Sequence, residues 1–264
     1  MHAFDYDRPK SAAEAASIRA ANDDASYLAG GMTLIPTLKQ RLAQPTRVID
    51  LGPIADLKGI SLSGGNVMIG ATTCHADVAA SSDVRKSIPA LSVLAGSIGD
   101  PQVRNRGTIG GSLANSDPSA DYPAAILGLG ATVHTTARQI AADDFFKGLF
   151  ETALEPGELI TKVSFPVPKR AAYMKFPNPA SRYAVVGVMV AETASGVRVA
   201  VTGAGACAFR VTDMEAALSK SFSVDAIASL TIPADDLNND MHATAVYRAH
   251  LVGVMARRAV AAIA

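Results

Sequence analysis

The chain has 264 residues, enough for two compact domains, and its 49% apolar content supplies a core for each. Lys plus Arg and Asp plus Glu both total 24, so the formal charge is zero; that argues against general nucleic-acid binding and leans toward association with other proteins. Two distant cysteines, Cys74 and Cys207, and five scattered histidines lack the four soft ligands of an iron–sulfur or structural zinc site, so any metal is expected in another chain. The start, MHAFDYDRPKSAAEAA, has no basic-then-apolar signal, and no run of ~20 apolar residues suits a bilayer; the expected compartment is the cytoplasm.

The first elements alternate. Ser11–Asn22 is Ala-rich behind a serine and predicts a capped helix. Ala25–Ala29 predicts a short strand that runs into Gly30-Gly31. Thr33–Leu42 places Leu34, Leu38 and Leu42 at helical spacing, with Pro36 in the first turn, and Thr46–Asp50 predicts another strand. Short links between strand, helix and strand predict a parallel βαβ unit. From residue 58 the pattern changes to a hairpin turning at Ser63-Gly64-Gly65-Asn66, followed by a helix over Ser87–Gly99. A helix over Ala124–Leu129 and a strand over Ala131–Thr136 follow the polar stretch Asp100–Asp121, and Phe146–Ile160, with its Pro156-Gly157 turn, closes the region. Ala184–Glu192 and Val197–Thr202 flank Ser195-Gly196 as an antiparallel hairpin. Short helices are predicted over Asp213–Lys220 and Asp225–Leu230, and a longer one over Tyr247–Ile263, apolar along Leu251, Val254, Ala259 and Val260. There is no internal repeat, and the Pro- and Lys-rich crossing near 166–175 marks the expected domain boundary.

Two glycine pairs carry the candidate chemistry. Ala29-Gly30-Gly31-Met32-Thr33 lies between a predicted strand and helix; Thr108-Ile109-Gly110-Gly111-Ser112 lies in the irregular, polar 100–121 stretch. Glycines permit positive φ and close approach of a ligand to the backbone, and successive N–H groups then converge on an anion, aided at the first pair by a helix start. Thr33 and Ser112 add hydroxyls, and a pyrophosphate suits two such loops. A lone glycine pair is more often a plain turn, but the second is crowded by Arg104, Asn105, Arg106, Asn115, Ser116, Asp117, Ser119 and Asp121, while Val103, Ile109, Leu113 and Tyr122 speak against disorder. Arg104 and Arg106 suit a phosphate or, equally, the bracing of a loop.

Three other features draw a second reading. Gly203-Ala204-Gly205-Ala206-Cys207-Ala208 fits the GxGxxA dinucleotide fingerprint, with Asp225 about 20 positions on. It would make the chain a stand-alone NAD(P)-dependent oxidoreductase. The preceding strand pairs better in a hairpin and CAFRV continues as extended chain, which favours an ordinary turn. Cys74 and Cys207 read as small core residues rather than nucleophiles, and His75-Ala76-Asp77 as a polar helix start.

The string IGDPQVRNRGTIGGSLANSDPSADYPA resembles the flavin-binding signature of the FAD-binding (medium) subunits of the molybdenum hydroxylase/xanthine dehydrogenase family, most of all its aerobic carbon monoxide dehydrogenase branch. AGGMTLIP resembles that family's first FAD loop, and LEPGELIT, Tyr173-Met174-Lys175-Phe176 and DMHATAVYRAHLVGVMARRAV extend the likeness along the whole chain. The resemblance implies a mixed α+β fold: a two-lobed FAD-binding domain of the vanillyl-alcohol oxidase type over 1–170, with lobes of about 1–57 and 58–170, then a small α+β domain over 171–264. It implies non-covalent FAD held by Ala29, Gly30, Gly31, Met32, Thr33, Ile98, Thr108, Ile109, Gly110, Gly111 and Ser112. Asp121 would reach a polyol hydroxyl, and Leu159 and Lys175 would approach the flavin. Met32 departs from the polar residue the family often carries there, which removes a side-chain contact but leaves the backbone cradle. The 178–184 stretch is expected to face the flavin. No residue is expected as a general acid or base. The chain would accept electrons from 2Fe–2S clusters of a small partner subunit and pass them to a terminal acceptor. The molybdenum–pterin centre would belong to a large subunit, the complex being a dimer of heterotrimers in the cytoplasm or peripheral at the inner face of the membrane.

Overall fold

The structure is a computed structural model that describes residues 1–263. Three main sheets succeed one another along the chain. The first contains β1 (Asp5–Asp7), β2 (Ser26–Leu28) and β3 (Arg47–Asp50), all parallel in the order β1-β3-β2, joined by α1 (Ala12–Ala20) and α2 (Leu34–Lys39). Ser11 caps α1 by accepting from the Glu14 N–H at 3.1 Å, and the Glu14 carboxylate reaches back to the Lys10 N–H. The helix faces the sheet with Ala15, which packs with Ile49, Leu51, Ile54 and Leu57. Strands and helices thus alternate as the sequence predicts, each within a residue or two of the predicted bounds at the strands.

The second sheet is antiparallel. Its hairpin, β4 (Ile60–Ser63) and β5 (Asn66–Gly70), turns through Gly64 and Gly65, at φ of 55° and 76°. Six helices follow: α3 (His75–Ala80), α4 (Ser82–Ser87), α5 (Pro89–Ser97), α6 (Pro101–Arg104), α7 (Ile109–Asn115) and α8 (Tyr122–Leu129). Then come β6 (Thr132–Thr135), β7 (Gln139–Ala141), α9 (Ala142–Phe145), the small hairpin β8 (Phe146–Gly148) and β9 (Glu151–Thr152), and β10 (Ile160–Pro166). The sheet order is β4-β5-β10-β6-β7, so β10, which the sequence reading does not single out, is its centre. All eight residues of α8 are buried. They lie between this sheet and the third, whose Met189, Ala191 and Ala200 join the same core.

The third sheet is a meander of β11 (Arg170–Pro177), β12 (Ala184–Thr193), β13 (Gly196–Thr202) and β14 (Phe209–Arg210). Ser195-Gly196 makes the predicted turn, and the first eight residues of β12 are buried, because α8 covers one face and α11 (Ala245–Ile263) the other. The buried stripe of α11 is Leu251, Val252, Met255, Ala256, Ala259 and Val260. Val254, read from the sequence as part of it, is only half-buried. Each of the large side chains in the stripe contributes about 1.5–3 kcal/mol by leaving water. α10 (Thr212–Lys220) precedes a single 3₁₀ turn at Asp225–Ile227 where the sequence predicts a longer helix.

Candidate functional site

A cleft of about 810 Å³ opens where the three sheets meet. Its walls are the loop after β2, the segment from Gly107 through α7 to Asp121, the 154–160 segment ahead of β10, and Ser181, Arg182 and Tyr183 of the β11–β12 loop. A parallel sheet concentrates ligand contacts at the carboxyl ends of its strands, and β2 delivers the first wall in this way.

The loop after β2 has the properties of an anion cradle. Gly31 adopts φ +74°, and the N–H groups of Gly31, Met32 and Thr33 meet no acceptor among the described residues. Gly30 is held there by contact rather than by dihedral. A Cβ on it would lie 2.0 Å from the Arg106 carbonyl oxygen, so the loop rests directly on the backbone ahead of the second glycine pair. The Thr33 hydroxyl makes no hydrogen bond among the described residues, and Thr33 and the exposed Met32 both line the cleft.

The second pair corrects the expectation of an irregular loop with positive φ. Thr108 caps α7, accepting from the Gly111 N–H at 3.2 Å, so the glycines occupy the first turn of a helix with negative φ. The backbone here is already engaged. The Ile109 N–H donates to the Thr73 carbonyl at 3.2 Å and the Gly110 N–H to the Ala71 carbonyl at 2.8 Å. A Cβ on Gly110 would strike Ala71 at 2.7 Å, whereas one on Gly111 would meet only the Thr108 hydroxyl at 2.9 Å and Ala29 at 3.9 Å. Gly111 therefore keeps the space toward the first loop open. What α7 offers the cleft is Ser112 and Asn115, whose side chains make no hydrogen bond among the described residues.

Twelve of the fourteen residues singled out from the sequence line the cleft: Ala29, Gly30, Gly31, Met32, Thr33, Ile98, Thr108, Gly110, Gly111, Ser112, Asp121 and Leu159. Ile109 and Lys175 do not. Ile109 is fully buried among core residues, because as the first residue of α7 it points into the second sheet's core. Lys175 lies behind Asp121, donating to its Oδ2 at 3.0 Å and to the Ser97 carbonyl at 3.2 Å. Asp121 is buried, and its Oδ1 also accepts from the Tyr173 hydroxyl at 2.5 Å. Burial pushes this carboxyl upward against the opposing pull of Lys175 and of the Tyr173 hydroxyl. Its oxygens are committed to a strut between the second and third sheets, so a ligand hydroxyl would come to it as a third partner.

Arg104 braces the turn, donating to the Ile98 and Gly99 carbonyls at 3.0 and 3.3 Å, while the Arg106 side chain is exposed. The wall residues Tyr27, Glu158 and His75 carried no signal that sequence reasoning could separate from structural roles. Tyr27 donates to the Gly157 carbonyl at 2.8 Å and closes one end of the cleft. Burial alone would raise the Glu158 carboxyl. Hydrogen bonds from Arg138, the Glu155 N–H and the Thr135 hydroxyl outweigh it and bring the carboxyl down to about 2. Both cysteines are free and half-buried rather than core residues, and burial raises both thiols.

The GxGxxA segment is not a dinucleotide loop. β13 pairs antiparallel with β12, and the segment runs on into β14 rather than a helix. Its backbone is stitched to Asn238, whose N–H donates to the Ala204 carbonyl and whose side chain donates to that of Gly205, both at 2.8 Å. Among the described residues no cluster of three or more His, Cys, Asp or Glu could hold a metal, and no helix is long and apolar enough to cross a membrane.

Comparison with known proteins places this geometry. Residues 2–168 match the family model described as the FAD binding domain in molybdopterin dehydrogenase. The carbon monoxide dehydrogenase medium chain of Afipia carboxidovorans is 39% identical over 278 residues, covering 97% of this chain and 95% of that one. The nicotine 6-hydroxylase medium subunit of Paenarthrobacter nicotinovorans is 36% identical, covering 98% and 97%. Among solved structures, a chain of the Cu,Mo-CO dehydrogenase superposes with a TM-score of 0.90 at 36% identity, over 98% of this chain and 97% of that one. One of quinoline 2-oxidoreductase from Pseudomonas putida 86 does so with a TM-score of 0.89 at 29% identity, covering 99% and 96%.

Proposed function

The chain belongs to the family of FAD-binding domains of molybdopterin dehydrogenases, and from that premise we propose that its cleft binds FAD and that the protein is the electron-transfer flavoprotein subunit of a molybdenum hydroxylase. One observation carries the reading: Gly31, Met32 and Thr33, whose N–H groups meet no acceptor among the described residues, line the same cleft as Gly111 and Ser112 of α7. The residues present fit the cofactor. Backbone donors and the Thr33 and Ser112 hydroxyls would hold its pyrophosphate, Gly111 leaves the room a Cβ would fill, and Asp121, Ile98 and Leu159 would line the remainder. Ala29, Gly30, Thr108 and Gly110 shape the cradle, while Ile109 and Lys175 act from behind it. When bound, FAD supplies the two-electron and one-electron redox chemistry, and the protein supplies binding, orientation and exclusion of water.

The relatives are medium subunits of multi-subunit dehydrogenases, and in the same way this chain would receive electrons from a small 2Fe–2S subunit, with a large molybdenum–pterin subunit beyond it. A dimer of such heterotrimers is the assembly we propose, cytoplasmic and touching the inner face of the membrane only through the complex. The domain division that accompanies this reading is 1–170 for FAD, in lobes of about 1–57 and 58–170, and 171–264 for the C-terminal α+β unit. Acid precipitation of the purified chain, with chromatography of the supernatant, tests the cofactor: FAD is expected, and FMN, or flavin retained in the pellet, would overturn the reading. Co-expression with the two partner subunits should give a complex whose substrate-dependent dye reduction requires this chain's flavin. A chain that oxidises a small substrate with NAD, unaided by partners, would sink the assignment.

A further inference from the structure

Two polar side-chain atoms behind the second glycine pair have no partner among the described residues, His75 Nδ1 and the Tyr122 hydroxyl. Their rings are in contact, with centroids 5.3 Å apart at an angle of 52°. Both residues are more than nine-tenths buried, and leaving two such groups unpaired is unfavourable. His75 begins α3, and its own N–H donates to the Gly107 carbonyl at 3.0 Å, which fixes the ring against the start of the second glycine pair. His75 also lines the cleft. The ring's Nε2 makes no hydrogen bond among the described residues yet is not enclosed as Nδ1 is, and a Cβ on Gly107 would lie only 2.6 Å from it. Glycine at 107 is thus what leaves Nε2 free.

We propose that His75 and Tyr122 act as a neutral pair: the two groups are not within hydrogen-bond distance of each other, and the Tyr122 hydroxyl donates to His75 Nδ1 through one enclosed water. The imidazole proton is thereby fixed on Nε2, which is offered to the cleft as a further donor to bound FAD. The inference rests on the reading that the cleft takes FAD. Several observations support it. Burial, with Arg104 nearby, lowers His75 to about 4, so the ring is neutral at ordinary pH and carries a single N–H. Burial, then the charges of Asp121 and Cys74, raise the Tyr122 hydroxyl, which therefore keeps its proton. A neutral imidazole that accepts at one nitrogen must donate at the other. The Cys74 thiol competes little for the pair, since it points to the Arg106 carbonyl at 3.8 Å. His75 is a positioning and binding residue here; no step of the redox chemistry passes through it.

Long-range ¹⁵N–¹H spectra of the full chain with ¹⁵N-labelled histidine read the tautomer directly. His75 should show the proton on Nε2 in the wild type and lose that preference in Tyr122→Phe. Flavin-fluorescence titration of the apoprotein should show FAD binding about tenfold weaker in His75→Leu, roughly the effect of losing one donor to a charged group. His75→Gln, which keeps an N–H, should recover most of that loss. A wild-type proton on Nδ1, or unchanged FAD affinity in His75→Leu, overturns the proposal and leaves the FAD reading intact. Should His75→Leu not fold, the wild-type tautomer and the His75→Gln affinity decide. A wild-type chain that binds no FAD removes the cofactor reading and this inference with it.

Discussion

The two glycine pairs look alike in sequence and do opposite things in the fold. After β2, Gly30 and Gly31, the latter left-handed, lead into N–H groups that meet no acceptor among the described residues, in residues that line the cleft. At the start of α7, Gly110 and Gly111 have ordinary helical dihedrals, and the N–H groups of Ile109 and Gly110 are committed to the carbonyls of Thr73 and Ala71. One pair is a cradle held open and the other is a wall packed shut, with its hydroxyl and amide side chains turned outward. A glycine pair therefore marks tight backbone approach, whether to a ligand or to the protein itself.

Substitutions separate the two roles. The largest effect is expected at Gly30, where even a methyl group collides with the Arg106 carbonyl. Gly30→Ala should lower stability by roughly 3 kcal/mol, about 6–12 °C in Tm for a chain of this size, and abolish flavin content. Thermal unfolding followed by circular dichroism checks it; an unchanged Tm would mean that the two loops do not lean on each other. Gly111→Val comes next and should act chiefly on the ligand, at the cost of a small shift of the Thr108 hydroxyl. Its side chain would project toward Ala29, so flavin occupancy should fall by an order of magnitude or more while the circular-dichroism spectrum stays near wild type. Full occupancy in the purified variant would break the assignment of that face to the cofactor.

Ser112→Ala sharpens the comparison further. The hydroxyl has no partner among the described residues, so the apoprotein should unfold at the wild-type temperature while FAD binds about three- to tenfold more weakly. Equal FAD dissociation constants would show that α7 contributes shape only. The smallest effect is in the pH profile. His75 is lowered in the folded chain, so the stability it confers is complete above its unfolded value of 6.5 and lost as pH falls toward about 4. Glu158, brought down to about 2, adds a second loss as pH falls from 4.5 toward 2. Denaturant midpoints of wild type and His75→Leu should therefore diverge between pH 7 and pH 4; parallel curves would argue against a buried neutral imidazole.

Much of this arrangement was legible in the sequence, for identifiable reasons. The βαβ start, the hairpin at Gly64-Gly65 and the β12–β13 hairpin announce themselves through Ser11, the paired glycines and long apolar runs bounded by turns. β10 escaped because its pairing with β6 shifts register between Ile160 and Lys162. The buried positions Ile160, Val163 and Phe165 consequently break the alternation that a strand reading depends on. α3 and α4 are short and half polar, and their helical form is imposed by packing on α5 rather than written in periodicity. At the site, the first loop was readable because a strand and a helix flank it. The engagement of the second pair with Ala71 and Thr73 was not, since residues nearly forty positions away decide it. For the same reason Lys175 was expected at the flavin, where the structure sets it behind Asp121.

α8 belongs to two neighbourhoods at once, with one flank against the second sheet and the other against Met189 and Ala200 of the third. Its amide hydrogens should therefore exchange with solvent only when the whole molecule opens, making the helix the slowest-exchanging segment and the seam of a single cooperative unit. The stretch recognised by the family model, 2–168, ends before the strands that cover that second flank. Expressed by itself, such a fragment would carry a freshly uncovered apolar strip along α8 and would be prone to self-association. The helix that backs the cleft is thus finished only by the strands that follow it, so the first two sheets depend on the third for a closed core.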